Sequence, residues 1–159
     1  MILNSYVRNT FWFVVRFVVG GIFVYAGFAK LNEPIENLRA VLLAYPVIPD
    51  TFVPGTASVL PWIEFVFGMF LILGYAIRPS TLVLGALLAG FLTVLGISRF
   101  VYGFSPEDCG CFGQGGIHLT VSQVLILDSL CLLAAVNLAL KRDHPWSLDH
   151  WLEHFGDKE

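Results

Sequence analysis

Four apolar blocks, each about 20 residues long, leave this chain few ways to fold. They run approximately over residues 11–29, 57–77, 81–100 and 120–140. Each is long enough to cross a bilayer as a helix. The chain is 57% apolar and 13% charged, whereas a soluble domain is near half apolar and about a quarter charged. Its apolar residues lie in long blocks rather than periodic stripes. The expected fold is all-α: an integral membrane four-helix bundle over residues 1–159, a single domain carrying short interfacial amphipathic helices. No internal repeat, low-complexity tract or separate soluble domain is visible. A net charge of −3 without a basic cluster argues against nucleic acid and against a polybasic lipid-binding tail. The lipid bilayer itself is the expected surrounding.

The first block ends in Gly27-Phe28-Ala29, small residues of the kind cut by signal peptidase. Its apolar run is longer than a signal core and Arg16 interrupts it, so it reads as a retained span. Blocks two and three are separated by Arg78-Pro79-Ser80, read as a tight hairpin.

Lys and Arg set orientation through their excess on the cytoplasmic side. With both termini inside, that side holds six of them (Arg8, Arg16, Arg78, Lys141, Arg142 and Lys158) and the outer side three (Lys30, Arg39 and Arg99). The expectation is a multi-pass protein of the bacterial inner (plasma) membrane with both termini cytoplasmic. Residues 101–119 then face the periplasm or exterior, where disulfides persist.

Between the spans, Ile35, Leu38, Leu42 and Tyr45 recur at helical spacing within residues 33–45, with Asn32 as N-cap and Pro34 in the first turn. This reads as a short amphipathic helix on the outer surface. Pro46, Pro49 and Pro54 keep the following stretch irregular. Near the C-terminus, Leu148, Trp151, Leu152 and Phe155 share one face of an interfacial helix over about 147–156, anchored by Trp146.

Three ionisable residues fall inside apolar blocks: Arg16, Glu64 and Asp128. Such groups cost several kcal/mol in hydrocarbon and face a partner or a water-filled cavity. Lys30 lies about 21 Å above Arg16 along one helix. Glu64 enters from the outer side, so Lys30 or Arg99 suits it, while Asp128, near mid-depth, suits Arg16. Two readings stay open: pairs that hold helices in register, or Glu64 and Asp128 as proton carriers.

One polar hexapeptide stands out between the third and fourth blocks: Asp108-Cys109-Gly110-Cys111-Phe112-Gly113. The thiolate is the reactive form. Lys30 and Arg99, at helix ends on the same side, supply a field that favours it, whereas Glu107 and Asp108 favour the thiol. A bridge between Cys109 and Cys111 closes a small, strained ring, and strain makes a disulfide more oxidising. As a purely structural staple it would remove little chain entropy. His118 with both thiolates gives three metal ligands, one short of a structural zinc site. Cys131, about 18 Å below the loop, reads as an inert packing residue.

Arg16, Gly20, Gly27 and Lys30-Leu31 with Glu33-Pro34, then Tyr45 and Leu60-Pro61-Trp62-Ile63-Glu64 with Gly68, then the cysteine hexapeptide, together resemble the MauE branch of the DoxX-like membrane proteins. The resemblance covers most of residues 13–140. It implies a four-helix membrane bundle and extracytoplasmic thiol–disulfide handling, since the methylamine-utilisation member is implicated in maturing a periplasmic, disulfide-rich dehydrogenase subunit. It does not imply that this chain serves methylamine oxidation. No thioredoxin-like stretch accompanies it, so a soluble redox partner is expected to be a separate protein.

The leading expectation is a membrane thiol–disulfide oxidoreductase in which Cys109 or Cys111 forms a mixed disulfide with a partner and the other cysteine resolves it. The partner would be a thioredoxin-like or cysteine-containing client. Electrons would pass to such a protein or to a membrane quinone. A non-enzymatic assembly factor and a Cys/His metal-handling protein are the alternatives.

Overall fold

The computed structural model describes residues 2–103 and 120–140, with side chains from residue 9 onward. Five helices follow in order: α1 (Ile2–Leu31), α2 (Ile35–Ala44), α3 (Val53–Leu73), α4 (Ile77–Phe100) and α5 (Val121–Leu140). Regular structure among the described residues is all-helical, and four helices are long and apolar enough to cross a membrane: Asn9–Leu31 within α1, then α3, α4 and α5. Helices suit that setting because each satisfies its own backbone hydrogen bonds.

Helix ends follow from local chemistry. The Asn32 side-chain amide donates to the Phe28 carbonyl at 3.0 Å, closing the end of α1. It does not cap α2, whose N-cap is Pro34 without a side-chain bond. α3 carries Pro54 in its first turn and stops at Gly74, which is left-handed at φ 73°. There the Gly74 N–H donates to Leu71 O and the Tyr75 N–H to Phe70 O, a Schellman stop. The second span accordingly lies at 53–73 rather than 57–77, because Gly74 ends it inside the apolar block. The hairpin is Gly74-Tyr75-Ala76, and Arg78-Pro79-Ser80 belongs to the first turns of α4, where proline is tolerated. At the start of α5, Gln123 Oε1 accepts from both the N–H and the hydroxyl of Thr120, the Gln half of a capping box.

α1 packs chiefly on α3, and α4 on α5. The first contact is backbone against backbone. A Cβ added at Gly20 would lie 2.9 Å from the Gly68 carbonyl oxygen, and one at Gly27 would lie 2.7 Å from both Pro61 O and Phe65 N. Small residues at this spacing let membrane helices touch closely, which matters where lipid removes the hydrophobic drive between helices. Val19, Phe23, Leu71, Ile77, Leu84, Leu88 and Cys131 fill the centre of the bundle. Many large side chains instead point outward, among them Phe17, Phe28, Leu82, Ile126 and Leu133, an arrangement that hydrocarbon accommodates.

At the end of the bundle where α1 finishes and α3 begins, Tyr45 packs with Leu95 of α4 and with Val121 and Val124 of α5. The α4–α5 connection therefore leaves from that same end. α2 does not merely rest on the surface: Leu42 is buried against Val53 and Ala57 of α3.

The glycine seam predicts opposite outcomes at adjacent positions. Gly20→Ala forces α1 off α3 and should destabilise by about 1–3 kcal/mol. Gly21→Ala meets nothing within 4 Å and should be neutral or stabilising by up to about 1 kcal/mol. Thermal unfolding of both variants in detergent checks the contrast.

Candidate functional site

Glu64 sits on α3 one turn beyond Pro61, and Lys30 on α1 one turn beyond Gly27. The close seam at Gly27 and Pro61 thus brings the next turn of each helix together. The Lys30 ammonium donates to both Glu64 carboxylate oxygens, at 2.8 Å to Oε1 and 2.6 Å to Oε2. Both side chains are about 98% buried. Lys30 Nζ also stands 5.8 Å from the centre of the Phe91 ring on α4, within the range of a cation–π contact.

Among the described residues, two cavities flank this pair. The larger, about 290 Å³, lies between α2 and α4; among the described residues Lys30 is its one charged wall, with Leu42, Tyr45, Phe91 and Leu95 among its other lining residues. The smaller, about 30 Å³, is lined by Glu64 and Asp128, with Phe23, Phe91 and Cys131 around them. It has room for one or two waters, and two carboxylates give such waters polar partners. Phe91 borders both cavities. Ion pair and ring together separate an apolar chamber from an acidic one.

The family described as Methylamine utilisation protein MauE matches residues 8–141. The chain belongs to this family. No curated protein and no solved structure matches it. The MauE match encloses α1's membrane span, α2–α5, the ion pair and both cavities, together with the sequence positions of Cys109 and Cys111. Together with the four apolar helices it makes the chain a multi-pass membrane protein.

The residues singled out in the sequence divide into three groups. Lys30, Glu64 and Asp128 come together around the small cavity's wall and lining. Arg16 is elsewhere. It is buried at the opposite end of α3, where a Cβ added at Gly74 would lie 2.8 Å from its guanidinium. The carbonyl-rich end of α3 carries the partial negative charge that an Arg complements, and the Phe13 ring lies 5.3 Å from the guanidinium carbon. The expected meeting of Arg16 with Asp128 is thus replaced by a helix terminus for one and a shared cavity for the other. Arg99 stands half-buried in the last turn of α4, away from Glu64's two bonds. Cys131 is buried in the core, as a packing residue would be. Asp108, Cys109, Cys111 and His118 lie outside the described residues, as does the expected helix at 147–156.

Sequence reasoning missed Phe91 and the apolar chamber. Phe91 is one of 14 phenylalanines and carries no mark of its own. A usable signal existed in α2: its apolar positions need a surface to cover, and α4 presents Ala86 and Gly90 at membrane depth.

The pair's energetics make a sharp prediction. Glu64→Leu leaves the Lys30 ammonium buried without its counter-charge and should destabilise by about 3–5 kcal/mol, whereas Lys30→Met combined with Glu64→Met should restore stability to near that of the native chain. Unfolding curves in detergent for the single and double variants measure the difference.

Proposed function

We propose that this MauE family member is a membrane thiol–disulfide redox protein whose reactive pair is Cys109 and Cys111. The observation that carries the reading is the Cys109-Gly110-Cys111 spacing within the α4–α5 connection, which leaves the bundle at the end holding the Lys30–Glu64 pair. Two thiols separated by one glycine suit exchange better than stapling, because the bridge they close is small and strained. A client's thiolate attacks the Cys109–Cys111 bridge, giving a mixed disulfide. A second client thiolate then releases the client as a disulfide and leaves both loop cysteines reduced. The client is a thioredoxin-like or cysteine-rich protein. The six-to-three distribution of Lys and Arg supports an inner-membrane placement with both termini cytoplasmic and the cysteine segment periplasmic.

Asp108 and His118 flank the pair in sequence and Arg99 ends the helix before it, so the local charge that tunes thiolate formation is theirs. Glu64 and Asp128 serve on the proton side of the chemistry, through the small cavity they line.

In membranes from cells grown aerobically, alkylation followed by mass spectrometry should find Cys109 and Cys111 partly oxidised. Cys111→Ser or Cys109→Ser leaves no bridge for a client thiolate to attack, so each should abolish client oxidation, whereas a client with one of its two thiols replaced by serine should be trapped on the native chain as a mixed disulfide. Replacement of both by serine should abolish client oxidation while membrane abundance stays normal. Full client oxidation by the double variant would end the redox reading in favour of a non-enzymatic assembly factor. Zinc or copper that copurifies with the native chain and is lost from that variant would instead favour metal handling.

A further inference from the structure

We infer that the 290 Å³ chamber between α2 and α4 is a binding site for the ring of a lipophilic quinone. Its shape sets the first condition. Ala86 and Gly90 lie exposed on the flank of α4 and also line the chamber. The entrance therefore opens sideways, at membrane depth, through the smallest side chains available. A ligand entering there is dissolved in the bilayer.

The walls set the second condition. Leu38, Val41, Leu42, Leu60, Leu87 and Leu95 make them apolar, while Lys30 supplies a charged donor that is itself buried. Two of the three ammonium hydrogens are used by Glu64. The third is available to an acceptor in the chamber.

Charge sets the third condition and separates the candidates. Lys30 and Glu64 are together neutral, so an incoming carboxylate or phosphate gains little net attraction and meets the Glu64 carboxylate nearby. A neutral carbonyl oxygen takes the remaining hydrogen bond without that repulsion. A quinone combines this acceptor with a flat apolar ring that Phe91 and Tyr45 can stack against. The chamber's volume is at the low end for ligand pockets, matching one substituted ring with the start of its tail, the rest lying in lipid.

The electron-acceptor role of this site rests on the thiol reading above. Two loop thiols plus one quinone give one disulfide and one quinol: two S–H bonds break, one S–S bond forms, and both quinone carbonyls become hydroxyls by taking two electrons and two protons. The cycle that oxidises a client then closes without any other oxidant.

Binding is tested on the purified full chain in detergent with ubiquinone-1, and with an azido-ubiquinone for photolabelling. The label should map to residues 38–48 and 86–95. Gly90→Leu, whose Cβ meets nothing within 4 Å, narrows the entrance and should weaken binding at least tenfold. Ala86→Phe should do the same independently. Cys109→Ser with Cys111→Ser should bind within twofold of the native chain, so loss of the site and loss of thiol chemistry are read separately. Unaltered affinity in both entrance variants, a label mapping elsewhere, or displacement by oleate as effective as by ubiquinone-1 would overturn the assignment.

Discussion

An ammonium and a carboxylate held together in hydrocarbon constrain everything around them. Separately, each would cost several kcal/mol at this depth. Joined by two short hydrogen bonds, they fix the rotation of α1 against α3 and the depth of one helix relative to the other. The bond geometry in turn demands that the backbones be close one turn away, which is what Gly27 against Pro61 and Phe65 provides. Any side chain at Gly27 would pull Lys30 away from Glu64. Seam and ion pair are therefore one device, with the seam supplying proximity and the pair supplying register.

The same pair shapes the empty space. Lys30 turns one side toward the apolar chamber and Glu64 turns the other toward Asp128. A leucine pair here would pack as well and leave two unrelated voids. The charged pair instead gives each void a distinct chemistry, a donor in one and an acceptor in the other, with Phe91 as the common wall. Buried ion pairs contribute little to stability compared with apolar replacements, so stability alone does not account for this one. What it provides is a polar connection across an apolar bundle.

Much of this was legible in the sequence, for physical reasons that also explain the misses. Spans are written as continuous apolar runs; the end of the second slipped because a stop signal, Gly74, lay inside its run, and the second and third begin four residues earlier than their apolar blocks. Helical rise put Glu64 near Lys30 because both are close to the same membrane face. The identical arithmetic sent Asp128 to Arg16, and it failed because Arg16 lies against the Gly74 end of α3 while Asp128 lines the small cavity with Glu64; the partial negative charge of a helix C-terminus also suits an arginine. Asn32 was misread for a related reason. Asn serves either helix it lies between, and the Phe28 carbonyl was the nearer partner. The chamber was invisible because it depends on α2 folding back over α4 and on what Ala86 and Gly90 lack.

That last point bears on why the chamber exists at all. α2 is short, and Tyr45 and Ile48 are drawn toward the junction of α4 and α5, while Leu42 is drawn toward the start of α3. Pinned at these two places, α2 spans the flank of α4 like a bracket and cannot sink onto it. Larger residues at 86 and 90 would fill the space beneath and turn a bracket into ordinary packing. The small pair on α4 and the two anchors of α2 thus act together. Among the described residues, the one charged donor lining the resulting space is the Lys30 that the α1–α3 seam has already fixed. A void whose shape, entrance and polarity are each determined by a different part of the fold is poorly explained as a packing defect, since a defect in any one part would close it.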